Sequence, residues 1–159
     1  MLFRSISPED YELPLFDADL ATASGPPVAA LKLRQMLVAH RGIFITSPEY
    51  SASVTPLLKN AIDWVSRVRE CGEPTCAAFK GRVFALGSAT SGGGGGIRSL
   101  MALRQILELG CGALVIPEQV SVPRAELAFD DDDNLKDEAL AAGLRAAMRR
   151  LVELAGMMD

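Results

Sequence analysis

Two segments of this 159-residue chain concentrate groups able to hold a ligand. The first, Ser47-Pro48-Glu49-Tyr50-Ser51-Ala52-Ser53, offers an aromatic ring, hydroxyls and backbone donors shortly before Pro56. The second is Ser88-Ala89-Thr90-Ser91, followed by Gly92, Gly93, Gly94, Gly95 and Gly96. Glycines let backbone N–H groups approach a ligand closely and accept positive φ. Together the two segments suit a flat heteroaromatic ring rich in hydrogen-bonding atoms. Each has a plainer reading alone: the glycines serve equally as a flexible loop, and Tyr50 as a packing residue. The glycine run is neither GxGxxG nor a Walker loop, since no Gly-Lys-Ser/Thr follows it.

Other reactive side chains are sparse. Cys71, Cys76 and Cys111 are an odd number at irregular spacing, which is no disulfide framework. Cys71 and Cys76 can approach each other in a loop, or stand as unpaired thiols. One His and no CxxC pair leave no ligand set for structural zinc. His40 ends a helix before Arg41-Gly42, where a favourable dipole contact accounts for it. The run Asp130-Asp131-Asp132-Asp133-Asn134 has Leu135 and Ala141 where an EF-hand needs Gly and Glu, so it reads as a solvated acidic turn.

The elements that must carry the two segments follow from the apolar pattern. Gly42–Thr46, Arg82–Gly87 and Cys111–Pro117 are short apolar runs bounded by turn residues, as fully buried parallel strands are. Residues 2–6 are a further strand candidate. Helical spacing predicts helices over 27–40, from Pro56 to about 69, over 97–109 up to Gly110, and over about 136–156. The last carries Leu140, Leu144, Met148 or Ala147, and Leu151 on one stripe. Alternating strands and helices imply right-handed crossovers and an open parallel sheet within one domain over 1–159. In such a sheet ligands bind beyond the carboxyl ends of the strands, where both segments fall.

Bulk properties narrow the function classes. Apolar residues make up 49% and charged residues 23%, which suits a packed core. A net charge of −4 without a basic run argues against a nucleic-acid partner. No apolar stretch reaches the roughly 18–20 residues that cross a bilayer, and Met1–Ser5 turns polar too soon for a signal peptide. A cytoplasmic location is the expectation.

Ser47-Pro48-Glu49-Tyr50-Ser51 with Leu58-Lys59-Asn60-Ala61-Ile62-Asp63-Trp64-Val65-Ser66-Arg67 closely resembles the PEYN…LKNAIDWxSR signature of NADPH-dependent FMN reductases. Residues 12–20, the glycine run with Ile97-Arg98, Leu103-Arg104-Gln105, and Phe129 with its acidic turn match as well, so the resemblance covers nearly all of the chain. It implies a flavodoxin-like, doubly wound α/β/α fold that binds FMN non-covalently, as a homodimer or homotetramer. It assigns Pro48, Glu49, Tyr50 and Ser51 to one side of the flavin, and Ser88, Ser91, Gly92, Gly93, Gly94 and Gly95 to the other. No side chain is implied as a catalytic acid. The implied reaction passes hydride from NADPH through the flavin to a small-molecule electron acceptor such as a quinone or free flavin.

Glu49, Lys59 and Asp63 could form an acid–base set, but the resemblance puts Lys59 and Asp63 on a helix near a subunit interface. Trp64 is expected to leave an apolar strip on that helix for a partner subunit. Ser51 stands where the family usually has Asn. The family also opens with a strand and a GSLRxxSxN-like loop around the FMN phosphate, and Leu2–Ile6 corresponds to its second strand. The expected fold is therefore shortened at its N-terminus. The alternative is a non-catalytic flavodoxin-like interaction module that has lost phosphate binding.

Overall fold

A computed structural model describes residues 4–158. Its centre is a parallel sheet of three strands, β1 (Gly42–Thr46), β2 (Val83–Ala89) and β3 (Leu114–Val122), in the order β1-β2-β3. Helices α1 (Ala18–Ser24) and α2 (Val28–Val38) precede β1. Helix α3 (Pro56–Arg67) links β1 to β2, and α4 (Ile97–Gln105) links β2 to β3. The short α5 (Ala125–Ala128) and the long α6 (Glu138–Gly156) close the chain.

Alternation along β2 decides the layers. Phe84 and Leu86 pack with Leu33 of α2, Ile62 and Val65 of α3, and Leu100, Leu103 and Leu107. Val83 and Ala85 face the opposite way, onto Leu151 and Met148 of α6. Side chains alternate across a strand, so where both faces are covered the strand is apolar on both, as β2 is from Val83 to Leu86. This is the flavodoxin-like three-layer arrangement expected. The predicted stripe on α6 is seated as expected, with Ala147 and Leu151 buried and Leu140 and Leu144 packed beside them.

Three expectations need correction. Strand β1 is only half-buried, because among the described residues it pairs with β2 alone and remains an edge. The strand expected at Leu2–Ile6 lies partly outside the described residues, and Arg4–Ile6 belong to no strand. Trp64 leaves no strip for a partner: it is 1% exposed. Its indole N–H donates to the Pro14 carbonyl (2.7 Å) and its ring meets Phe16 edge-on at 5.0 Å. The segment around Leu13–Phe16 crosses α3 and covers it, a long-range contact that helical spacing does not reveal.

The third strand runs further than its sequence suggests. Pro117 lacks an N–H and ordinarily ends a ladder. Here Phe84 pairs with Val115, and the next pairing joins Leu86 to Gln119. The strand therefore takes in two extra residues around Pro117 and then resumes pairing to Val122. The carbonyls of Val115 and Ile116 accept from the Arg104 guanidinium (3.5 and 2.9 Å), which prevents the interruption from leaving them unpaired. Before β3, α4 widens into a π-helical turn over Ile106–Gly110. It closes where Ala113 N–H donates to the Leu107 carbonyl at 2.9 Å.

His40 Nδ1 lies 2.7 Å from the Met36 carbonyl at the end of α2, as the dipole reading implied. The Asp130 carboxylate accepts from the N–H groups of Asp132 and Asn134 (3.0 and 2.8 Å), which makes the acidic run a side-chain-stabilised turn. Lys59 and Asp63 form an ion pair of 2.6 Å along α3.

Candidate functional site

The loop after β1 is anchored at both ends. Ser47 N–H continues the ladder by donating to the Gly87 carbonyl (3.1 Å). At the other end, the Thr55 hydroxyl accepts from Leu58 N–H (3.3 Å) and caps α3, with Pro56 in its first turn. Between them Tyr50 and Ser53 exchange two backbone hydrogen bonds, 3.0 and 2.9 Å long. The intervening Ser51 and Ala52 have φ of +48° and +63°. Two consecutive left-handed residues are the mark of a type I′ turn, which favours Asn-Gly and is strained with Ser-Ala. Ser51→Asn should therefore stabilise the chain by about 0.5–1 kcal/mol. That is a rise of roughly 1–4 °C in unfolding midpoint, and a lower midpoint would show that the turn does not carry this strain.

The glycine loop after β2 rests on β3. Ser121 Oγ donates to the carbonyls of Gly94 and Gly95 (3.2 and 2.9 Å). Thr90 N–H donates to the Val122 carbonyl and Arg124 N–H to that of Gly92. Gly95 and Gly96 have φ of +58° and +81°, and Gly96 is the N-cap of α4. Beneath it lies Ser88, 4% exposed, whose hydroxyl is buried without a hydrogen-bond partner.

One side chain joins the two loops. Glu49, with its side chain 9% exposed, forms an ion pair with Arg98. It also accepts from the backbone N–H groups of Arg98 and Ser99 (3.1 and 3.3 Å). These are first-turn donors of α4, left without partners inside the helix. The hydrogen bond from Arg98, above all, with those from the backbone, holds the Glu49 carboxyl below the ordinary carboxylate range. Glu49 thus serves as the anion at the positive end of α4.

Between the loops is an open cavity of about 460 Å³, lined by Glu49, Ser51, Ala52, Thr90, Ser91, Gly92, Gly94, Gly96 and Arg98. Five of the residues assigned from sequence line it: Glu49, Ser51, Ser91, Gly92 and Gly94. Pro48, Tyr50, Ser88, Gly93 and Gly95 belong to the same two segments but do not line it. The Tyr50 side of the turn faces solvent, the residue being 59% exposed. Ser88 and Gly95 are buried in the floor. Ala52, Thr90, Gly96 and Arg98 were missed as lining residues, and so was the support from Ser121. Adjacency to the PEY and glycine segments was the signal available for the first four.

The family model for NADPH-dependent FMN reductase matches residues 3–126. The chain belongs to the NADPH-dependent FMN reductase family. A probable NADPH:quinone oxidoreductase 2 of Oryza sativa subsp. japonica is 34% identical, over 84% of this chain and 63% of the relative. An NAD(P)H-dependent FMN reductase of Pseudomonas aeruginosa is 35% identical, over 79% of this chain and 64% of the relative. The chain thus spans slightly less than two thirds of the length of these relatives. Among solved structures, the flavoenzyme NAD(P)H:(acceptor) oxidoreductase FerB of Paracoccus denitrificans superposes with a TM-score of 0.73 at 26% identity, covering 92% of this chain and 77% of its own.

The cavity of this FMN reductase family member fits one part of FMN and not the other. The N–H groups of Ser51, Ala52, Ser91, Gly92, Gly94 and Gly96 take no hydrogen-bond acceptor among the described residues. Such a set of donors around an open slot suits the acceptor atoms of an isoalloxazine edge. The phosphate is another matter. The N-terminus of α4, the natural place for an anion, already holds the Glu49 carboxylate.

Proposed function

We propose that this chain forms the ring-binding part of an NAD(P)H-dependent FMN reductase, and that hydride passes from NADPH through FMN to an acceptor such as a quinone or free flavin. The observation that carries this reading is the slot between the PEY turn and the glycine loop, with unpartnered backbone donors on both walls. The names of the relatives support an oxidoreductase over a non-catalytic interaction module. When bound, the flavin supplies the hydride chemistry, and the protein supplies binding, orientation and electrostatics.

In this proposal Pro48, Glu49, Tyr50 and Ser51 form one wall and Ser88, Ser91, Gly92, Gly93, Gly94 and Gly95 the other. Backbone donors of Ser51 and of the glycine loop orient the ring. Glu49 keeps the walls at a fixed spacing, and the Ser121 hydroxyl keeps the glycine loop seated from below. The slot is open, which leaves room for NADPH and the acceptor to meet the ring in turn. A cytoplasmic location and assembly as a homodimer or homotetramer belong to the same proposal, and both rest on the family resemblance.

Titration with FMN and with riboflavin, followed by flavin fluorescence, tests it. The expected result is quenching by both, with affinities within a few-fold of each other, because the slot grips the ring. No quenching by either up to roughly 1 mM would overturn the ring-site reading. A large preference for FMN would show that residues at this slot also take the phosphate.

A further inference from the structure

The cysteines that no part of the proposed reaction uses are not independent of one another. Cys111 is 4% exposed and belongs to the main core, at the residue that ends the π-helical turn. Cys76 lies in the segment between α3 and β2, half-buried against that same core. Its Sγ is 3.6 Å from the carbonyl oxygen of Gly110, the residue bonded to Cys111. Cys76 is also among the neighbours that perturb the Cys111 thiol. Cys71, although only five positions from Cys76, is exposed.

The backbone at Cys76 is fixed in the orientation that produces this contact. Its φ is +61°, a region that few residues other than glycine adopt. Its N–H donates to the Ser66 carbonyl (2.8 Å) and its carbonyl accepts from Phe79 N–H (2.9 Å). The segment is therefore tied to α3 on one side and to its own next turn on the other.

We propose that Cys76 and Cys111 are a reversible oxidation site, converted to an intramolecular disulfide by hydrogen peroxide. Cys76, the more accessible of the two, reacts first. Its sulfur displaces one oxygen of the peroxide, which leaves as water, and becomes a sulfenic acid. The Cys111 sulfur then attacks the Cys76 sulfur. The S–S bond forms, the S–O bond breaks, and the hydroxyl leaves as a second water carrying the Cys111 proton. Two thiols are oxidised by two electrons and one hydrogen peroxide is reduced. Burial, and then the neighbouring Cys76, pushes the Cys111 thiol up to about 12, so Cys111 is not the first to react, and it gives up its proton only as the S–S bond forms.

The test is hydrogen peroxide treatment of the whole chain, with free thiols counted by mass tagging and peptides mapped without reduction. The expected result is a fall from three free thiols to one, the survivor being Cys71. A linked Cys76–Cys111 peptide should appear, and dithiothreitol should restore all three. Cys71→Ser should go from two thiols to none, and Cys76→Ser should lose no thiol reversibly. A Cys71–Cys76 peptide, three persistent thiols, or irreversible oxidation of Cys76 with Cys111 intact would each overturn the proposal.

Discussion

Glu49→Gln is expected to weaken flavin binding roughly tenfold, because the charge-assisted contacts that join the two walls of the slot depend on an ionised carboxylate. The amide keeps the size of the side chain but removes the charge facing Arg98 and the first turn of α4. It also directs an NH₂ group toward donors. Hydrogen exchange at the backbone amides of Arg98 and Ser99 should quicken in the same variant, and this readout requires no ligand.

The acid dependence follows with a definite sign. The Glu49 carboxyl is depressed in the folded chain, chiefly by its hydrogen bond from Arg98. Its contribution is thus present in full above the ordinary carboxylate range and is lost as the pH falls through the lower, folded value. Wild-type protein should show this acid limb in slow exchange at Arg98 and Ser99, and Glu49→Gln should not. Identical limbs in both would sink the assignment of Glu49 as the link between the walls.

Gly96→Ala is expected to cost more than any other single methyl added in this region. The residue has φ of +81°, and an added Cβ would sit 2.7 Å from the Ser88 Cβ and closer still to the Ser88 hydroxyl. Backbone strain and overpacking together come to about 2–4 kcal/mol, a fall of roughly 5–15 °C in unfolding midpoint. Gly93→Ala is the matched control. It has no atom within 4 Å of an added Cβ and no positive φ, so its effect should be small. Thermal unfolding of the two variants side by side decides the matter, and equal midpoints would refute the account.

The sequence was informative where local chemistry and burial agree. Val83–Leu86 is apolar on both faces because both faces are covered, and its short apolar run announced this directly. Pro56 after Thr55 marked the start of α3 through capping that acts within one turn. The slot itself was legible because the Tyr50–Ser53 turn and the glycine run follow strand ends, where a parallel sheet leaves its crevice. What stayed hidden depends on residues far apart in the chain. The bond from Glu49 to the first turn of α4 spans about fifty positions. Likewise, Trp64 looked available to a partner until the Pro14 carbonyl and Phe16 were seen to cover it. Strand β3 was cut short at Pro117 because the missing N–H is a local signal, whereas its remedy, Arg104, comes from another helix.

The two extra residues at Pro117 are an insertion whose parity matters more than its composition. Side chains alternate with a period of two, so an even insertion leaves the facing of the later residues unchanged. Val120 and Val122 still point to α6, and Ser121, opposite Ser88, still lies under the glycine loop. The insertion also leaves the reach of the strand unchanged. Two positions of β2, from Phe84 to Leu86, are matched by four of β3, from Val115 to Gln119, so the surplus is absorbed where it arises and the pairing beyond it is that of an uninterrupted ladder. Losing both residues would still leave Ser121 opposite Ser88. Losing one would leave an odd count, and a one-residue change of phase would turn the serine into the α6 layer. The floor of the slot thus depends on the parity of a residue count at the far end of the strand.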